Sequence, residues 1–349
     1  MGRDKLKLER NSFVSIDKNI LDKPIWFIDN DNFREIKREF KIKNKVIENT
    51  FLVYEEITEN GKYIFEISTE PPTAKDMLFL MFILYKSQCK NSNEVEFSLY
   101  EMVEFFKLPK KGDTYNRIKE ALSKWSKVHI NFDSSFYSDK GYISKEFGVI
   151  DNITYEKNRT YVRLNVEFYN SLLINNFFKK IPLLEYASMR RATAKRLYEI
   201  LTKSFGNQES YPINIFKLRD KLTLSRNYKY KSEILKVIKP AVKEINERTH
   251  LNIDFTVKDE VVIFYHIKSK NQLEWESVLN KIEDFLDNQK DSYDLDFLRS
   301  FSIKRLSETD KSKGFILLVS SEEDKNRIEN DQKLFKLLRA FGLRKIVVS

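Results

Sequence analysis

The chain has 349 residues, of which 41% are hydrophobic and 33% are charged, and its formal net charge is +10. This length predicts two or three domains, each large enough to bury a core. The longest apolar run, Met77–Tyr85, is too short to cross a membrane, and the charged N-terminus lacks the apolar stretch of a signal peptide. Cys89 is the single cysteine, which excludes an intrachain disulfide and a cysteine metal cluster. We therefore expect a cytoplasmic protein.

The positive charge is unevenly distributed along the chain. Residues 276–349 contain 14 basic and 14 acidic side chains, so the whole excess lies upstream. Residues 107–127 have 7 basic and 2 acidic side chains, and residues 217–239 have 8 and 2. Such clusters are typical of surfaces that bind nucleic-acid phosphates. The alternative is an ordinary solvated surface in a lysine-rich protein.

Residues 1–70 predict an N-terminal arm that ends in a β-hairpin. The first ten residues are highly charged and predict a mobile start, and an apolar, extended segment follows around Trp26. Residues 46–57 and 61–68 then alternate apolar and polar side chains on either side of Asn60-Gly61. This dipeptide between two alternating runs is the strongest short hairpin signal.

Residues 71–180 predict the first of two similar units. Thr73 and Asp76 have the spacing of a capping box and predict a buried helix over 74–89. A short strand, a short helix and a basic turn lead to an amphipathic helix over 114–128. The inward side of this helix is predicted to be Ile118, Ala121, Leu122, Trp125 and Val128. The predicted wing strands are 129–132, 142–155 and 160–164.

Residues 181–270 repeat this order of elements. The predicted elements are a helix over 189–205, a strand over 211–215, a helix over 216–222, a long helix over 230–248 and a hairpin over 251–257 and 261–268. Pro240 removes a backbone donor inside the long helix, so we expect a kink or a break there. The repeated order of elements predicts an α+β fold with two tandem winged-helix domains, because each segment has a strand, a helix, a turn, a second helix and a wing. In such domains the helix after the turn lies in the DNA major groove.

Side chains at the N-terminal turn of such a helix reach base edges. The candidate base-reading residues are Thr114, Tyr115, Asn116, Arg117, Arg226, Asn227, Lys229, Tyr230, Lys231 and Ser232. The arginines can read guanine and the asparagines adenine. The candidate phosphate contacts are Lys110, Lys111, Lys124, Lys127, Lys217, Lys221, Lys236 and Lys239. For any single one of these residues, an exposed helix charge without a DNA contact is an equal interpretation.

Both units resemble the winged helices of plasmid replication initiators of the Rep/RepA type, over roughly residues 20–268. In the second unit the resemblance is carried by Leu197-Tyr198, Leu218-Arg219, Lys239-Pro-Ala-Val-Lys-Glu-Ile-Asn246 and Thr249. In the first unit it is carried by Pro71-Pro-Thr and Tyr115-Asn-Arg-Ile-Lys-Glu-Ala-Leu122. The Lys-Pro-Ala…Glu-Ile-Asn string is the most specific of these.

Such initiators bind repeated origin sequences called iterons, open the adjacent DNA and recruit host replication proteins. They are typically monomers when they initiate and dimers when they repress their own gene. The resemblance therefore implies an initiator that binds double-stranded origin DNA and exists in a monomer–dimer equilibrium. A plasmid or phage transcriptional repressor is the alternative, because the same fold binds operators. A structural protein whose winged helices dock other proteins is a third interpretation, which the clustered lysines oppose.

Residues 271–349 predict a separate, small α/β domain. The predicted helices are 273–286, 295–301 and 322–341, and the predicted strands are 302–306, 315–320 and 344–348. Trp275–Leu279 and Gly314–Val319 resemble, weakly, parts of the N-terminal domain of the bacterial initiator DnaA. That domain contacts the replicative helicase and mediates self-association, so the resemblance implies a host helicase or initiator as partner.

Residue types needed for catalysis do not cluster in the sequence. His129, His250 and His266 are far apart, so the His-x-His metal pair of rolling-circle initiators is missing. The sequence has no glycine-rich phosphate loop followed by Lys-Ser/Thr, and its carboxylates are scattered. We therefore expect a protein that is not an enzyme and that needs neither a metal ion nor a cofactor.

Overall fold

The computed structural model describes residues 12–42, 45–173, 178–205, 210–267, 275, 278–282, 285–286, 298, 301–305 and 314–348. The chain forms two units, residues 1–266 and 267–349, each with its own buried apolar core. Both units combine helices and strands, so the predicted mixture of helix and strand is confirmed. No described helix is long and apolar enough to span a membrane.

The first part of the larger unit is rich in strands. Its elements are β1 (Phe13–Asp17), α1 (Lys18–Asp22), β2 (Arg34–Ile42), β3 (Lys45–Ile57), β4 (Lys62–Ile67), α2 (Ala74–Lys90), β5 (Glu94–Phe97), α3 (Leu99–Phe105), α4 (Gly112–Trp125), β6 (Val128–Ser138), β7 (Gly141–Gly148), β8 (Ile150–Glu156) and β9 (Arg159–Leu164). The predicted capping box is present at the start of α2, where the Asp76 carboxylate accepts from the Thr73 backbone N–H at 2.8 Å.

The second part of the larger unit is richer in helices. Its elements are α5 (Val166–Leu173), β10 (Phe178–Pro182), α6 (Leu183–Ser188), α7 (Ala192–Ser204), β11 (Ser210–Asn214), α8 (Ile215–Lys221), α9 (Lys231–Arg248), β12 (Ile253–Lys258) and β13 (Val261–His266). The helix predicted over 189–205 is wrong in its start, because α7 begins at Ala192 and the preceding residue, Arg191, is extended; the short helix α6 before it was not predicted. Between them, the backbone N–H groups of Arg190 and Arg191 donate to the Glu244 carboxylate at 2.5 and 3.2 Å.

A five-stranded antiparallel sheet has the order β2-β3-β4-β6-β7. The predicted hairpin at Asn60-Gly61 is confirmed as the connection between β3 and β4. A Cβ atom at Gly61 would lie 2.0 Å from the carbonyl oxygen of Asp133, so only glycine fits beside β6. Strand β2 was not predicted, because its many charged residues leave no apolar alternation to detect.

Two smaller sheets have matching topology. Strands β5-β9-β8 form one and β11-β13-β12 form the other, and all neighbouring strands are antiparallel. In each sheet the first strand precedes two helices and pairs with the last strand of a hairpin. We call α2, β5, α3, α4, β8 and β9 the first repeat, and α7, β11, α8, α9, β12 and β13 the second repeat.

The structure corrects the predicted wing of the first repeat. Strands β6 and β7, which contain residues 129–132 and much of 142–155, belong to the five-stranded sheet. The strand predicted over 142–155 is broken at Val149, which is buried, and only β9 pairs with β5, while β8 pairs with the other edge of β9. Phe147, Val149 and Ile150 are all buried around the break, so the apolar residues of the sequence give no sign that one strand ends and another begins there.

The long helices also differ from the predictions at particular residues. Helix α4 begins at Gly112 and ends at Trp125, so Val128 belongs to β6. Helix α9 runs unbroken through Pro240, so of the expected kink or break the break is wrong, and the kink stays a prediction. Proline removes one donor, and the carbonyl that loses it belongs to the exposed Lys236, where water can bind.

Residues 12–33, the N-terminal segment, hold the two parts of the larger unit together. Strand β1 pairs with β10, and the backbone N–H of Phe27 donates to the Pro72 carbonyl at 2.8 Å. Trp26 is fully buried, and its indole N–H donates to Glu199 at 3.0 Å. The predicted arm and both predicted winged-helix segments therefore share one apolar core.

Arg196 and Glu199 form a buried ion pair beside the N-terminal segment. Their side chains are 1% and 2% exposed, and Nη1 lies 2.8 Å from Oε2. The guanidinium also donates to the carbonyls of Leu21 and Lys221. The Tyr186 hydroxyl donates to Glu199 at 2.7 Å, and burial, followed by the nearby Glu199 charge, raises the pKa of Tyr186 well above its usual value. These partners offset the cost of removing two charges from water.

The smaller unit contains a three-stranded sheet. Its elements are β14 (Ser302–Arg305), β15 (Phe315–Val319), α10 (Glu322–Asn330), α11 (Gln332–Ala340) and β16 (Leu343–Val348), and the described residues between 275 and 286 are helical. Strand β15 is central, antiparallel to β14 and parallel to β16. The single helix predicted over 322–341 is divided at Asp331, whose carboxylate accepts from the Leu334 N–H at 3.0 Å. Most of the helix predicted over 295–301 lies outside the described residues.

Replacing Arg196 should destabilise the larger unit strongly. Arg196→Ala leaves the Glu199 carboxylate buried without its cation, so the free energy of unfolding should fall by about 3–5 kcal/mol. Lys243→Ala is the control, because its ammonium lies on the surface, 3.9 Å from Glu247, and should cost less than about 1 kcal/mol. Urea denaturation measures both. Equal losses in the two variants would contradict the structural role of the buried pair.

Candidate nucleic-acid interface

The two repeats contain equivalent turns between their second and third helices. Helix α3 is followed by Lys107 (φ 51°), and α8 is followed at the same position by Thr223 (φ 55°). The next residue closes each helix end in the same way, since Leu108 N–H donates to the Val103 carbonyl and Leu224 N–H to the Arg219 carbonyl, at 2.9 and 3.1 Å. We call residues 106–111 the first basic turn and residues 222–230 the second basic turn.

The first basic turn leads into α4, whose start lies two residues earlier than predicted. Thr114 and Tyr115 are half-buried, and Tyr115 packs against the core. Asn116 and Arg117 are exposed, and the Arg117 side chain makes no hydrogen bond or ion pair with any described residue. Of the four reading candidates in this repeat, the latter two are therefore the ones available to a partner.

The second basic turn leads into α9 at an exposed surface. Tyr230 precedes the helix and is 69% exposed. The other candidate reading residues of this repeat are also exposed: Arg226, Asn227, Lys229, Lys231 and Ser232. The Lys231 ammonium donates to the Asp259 carbonyl at 2.7 Å. Because Asp259 lies in the connection between β12 and β13, the start of α9 lies beside the tip of this hairpin.

The candidate phosphate contacts divide into two groups. Exposed side chains that make no ion pair within the described ranges belong to Lys111, Lys127, Lys217, Lys236 and Lys239. Three others have protein partners. Lys110 lies 2.6 Å from Glu104, Lys124 lies 3.6 Å from Asp76, and Lys221 lies 2.8 Å from Asp22. Hydrogen bonds to Glu104 and Tyr100 raise the pKa of Lys110.

Lys221 belongs to a charge cluster that the sequence did not indicate. Burial by itself would raise the pKa of Asp22, but Lys221 and Lys203 together lower that pKa well below its usual range. Lys221 and Asp22 are 199 residues apart in the chain, so no local sequence pattern indicates their contact. Lys221 consequently connects α8 to the N-terminal segment.

Two further features lie close to the repeats. The Lys119 ammonium lies 5.5 Å from the Tyr155 ring centre, so α4 contacts β8 through this pair. A cavity of about 310 Å³ is lined by Arg190, Arg191, Pro240, Lys243, Glu244, Glu247 and Arg248.

Two of the three histidines have a carboxylate partner: His129 pairs with Glu146 and His250 with Glu185, at 2.8 and 2.7 Å. Among the residues that the structure describes, no group of three or more His, Cys, Asp or Glu side chains is arranged to hold a metal ion.

Comparison with known proteins relates this chain to replication initiators. Residues 75–247, which include most of both repeats, match the family model of Replication initiator protein A. The "Putative replication protein" of Wigglesworthia glossinidia brevipalpis is 28% identical over 192 residues, which cover 51% of this chain and 66% of the relative. This chain thus spans slightly less than two thirds of that relative. The predicted resemblance to replication initiators is confirmed.

Two crystal structures of domains 2 and 3 of RctB were also found. They are 10% and 11% identical to this chain and cover 62% and 71% of it, and 91% and 96% of their own chains. Their TM-scores of 0.43 and 0.45 are too low to establish a shared fold.

Two lysines on α8 should contribute very differently to stability. Lys217 is exposed, whereas Lys221 is held by Asp22. Lys221→Ala should lower the free energy of unfolding by about 1.5–3 kcal/mol, because a charged hydrogen bond is lost. Lys217→Ala should change it by less than about 0.5 kcal/mol. Urea denaturation of the two variants makes the comparison, and a Lys221 variant as stable as the unsubstituted protein would contradict the assigned roles.

Proposed function

We propose that this chain is a replication initiator that binds repeated sites in double-stranded origin DNA without catalysing a reaction. The observation that carries the proposal is the presence of two equivalent basic turns, each followed by a long helix with exposed polar side chains at its start. The family match over residues 75–247 supports the role in initiation. The whole protein's activity and partners are part of the proposal.

Each repeat acts as a winged helix in this proposal. Helices α4 and α9 enter successive major grooves, and the hairpins β8–β9 and β12–β13 lie along the adjacent backbone as wings. The contact between Lys231 and Asp259 supports this arrangement for the second repeat, because it places the hairpin tip beside the N-terminal end of α9.

Base reading is assigned to a small group of exposed side chains. Arg117 and Arg226 read guanine through two hydrogen bonds each, and Asn116 and Asn227 read adenine. Lys111, Lys217, Lys236 and Lys239 neutralise phosphates, since their ammonium groups are exposed and make no ion pair with a described residue. Lys110, Lys124 and Lys221 serve the protein's own structure in this proposal, which revises their predicted role.

The proposal extends to the partners that initiation requires. Residues 271–349 contact a host helicase or initiator, and the chain exchanges between a monomer and a homodimer. The neutral charge of residues 276–349 supports a protein rather than a DNA partner. A plasmid or phage repressor would use the same DNA-binding surface. A direct-repeat array of about two helical turns per repeat beside the gene distinguishes the initiator from the repressor.

Binding to duplex DNA should depend strongly on salt. If roughly six to ten phosphates are neutralised, the slope of log affinity against log salt concentration should be about −5 to −9. Titration of a fluorescent origin duplex at several salt concentrations measures this slope. A slope near zero would remove the electrostatic basis of the proposal.

Arg226 and Lys236 should affect DNA binding in different ways. Arg226→Ala should cost about 1–3 kcal/mol on the specific duplex and much less on a random one, because base contacts are lost. Lys236 is a matched exposed cation on α9, and Lys236→Ala should weaken binding to both duplexes alike. Affinities measured for both variants on both duplexes test the division. Arg226→Ala with unchanged discrimination would show that the base-reading residue is elsewhere.

A further inference from the structure

The second basic turn begins with a residue in an unfavourable backbone conformation. Thr223 is fully buried and has φ 55°, in the left-handed region that β-branched residues avoid. At the equivalent position of the first repeat, Lys107 has φ 51° but is exposed and is not β-branched. A buried threonine keeps such a conformation only where surrounding groups fix it.

The groups that fix Thr223 come from the N-terminal segment. The backbone N–H of Ile28 donates to the Thr223 hydroxyl at 2.8 Å, and the backbone N–H of Asp29 donates to the Thr223 carbonyl at 3.2 Å. The hydroxyl explains why a threonine is present, because alanine or valine at this position would leave the Ile28 N–H without this acceptor.

The following residues of the turn are held by the same segment. The Asn32 amide donates to the Leu224 carbonyl at 3.0 Å. Asp29 accepts from the Ser225 backbone N–H at 2.8 Å, and Asp31 accepts from the Ser225 hydroxyl at 2.6 Å. That hydroxyl oxygen in turn accepts from the Asn227 backbone N–H at 3.1 Å. The hydrogen bonds therefore run from the N-terminal segment to a candidate base-reading residue.

We infer that residues 28–32 position the second basic turn for base reading. The inference rests on the proposed function and adds a positioning role for Asp29 and Asp31, which are more than 190 residues away in the chain. The Phe27 N–H donates to the Pro72 carbonyl just before α2. One segment therefore fixes the position of the second basic turn relative to the first repeat. The segment thereby limits which spacing of DNA contacts the protein accepts.

Two double variants test the inference with the same change of charge. Asp29→Ala with Asp31→Ala removes both acceptors, whereas Asp29→Asn with Asp31→Asn keeps an acceptor oxygen at each position. The alanine variant lacks the two acceptor oxygens that the asparagine variant keeps. The ratio of specific to random duplex affinity should therefore fall about tenfold in the alanine variant. In the asparagine variant the ratio should stay within about twofold of the unsubstituted protein. The salt slope should be the same in both variants, because their charges are equal.

Hydrogen exchange gives a second readout that does not depend on DNA. The Ser225 amide should exchange faster in the alanine variant than in the asparagine variant, while amides of the five-stranded sheet keep their rates. If the unsubstituted protein shows no preference for any duplex, the proposed function fails, and hydrogen exchange still decides the positioning role. Ser225→Ala removes the two hydrogen bonds of the hydroxyl, to Asp31 and from the Asn227 N–H, and replaces the alanine pair if that pair does not fold.

Two results would overturn the inference. One is equal discrimination and equal Ser225 exchange in the alanine and asparagine variants, which would show that the acceptors position nothing. The other is an equal rise of affinity for every duplex in both variants. In that case the two carboxylates would act only by repelling DNA phosphates.

Discussion

The larger unit depends on the buried ion pair between Arg196 and Glu199. Two charges removed from water are tolerated only when their remaining hydrogen-bonding groups are satisfied, and here the partners come from separate parts of the chain. Trp26 and Leu21 come from the N-terminal segment, and Tyr186 comes from α6. Lys221 contributes its carbonyl from the end of α8. The pair thus requires the N-terminal segment to lie against the second repeat, next to the turn that precedes α9.

Local signals in the sequence were sufficient for much of the fold. The hairpin at Asn60-Gly61 and the capping box at Thr73 depend on residues close together in the chain, and both are present. The repeated order of elements could be predicted for the same reason. The change of sheet at Val149 could not, because apolar alternation shows that one face is buried but not which strand is the neighbour.

The candidate site was predictable as a surface but not residue by residue. Exposed cations in both basic turns follow from the charge pattern, and Arg117 and Arg226 are exposed as expected. The protein partners of Lys124 and Lys221 could not be predicted, since Asp76 and Asp22 are distant in the chain. Polar contacts over such separations leave no periodic pattern. The role of Asp29 and Asp31 was missed for the same reason, because these two acidic residues lie near the second basic turn only in the folded chain.

We propose that two equivalent turns, fixed in one unit, bind successive grooves of one duplex. Hydroxyl-radical footprinting of the full chain on its origin DNA tests this claim most directly, because the method maps protected backbone positions at single-nucleotide resolution. The account predicts two protected patches on the same face of the duplex, about one helical turn, or 10 base pairs, apart. A single patch, or uniform protection without a periodic pattern, would contradict it.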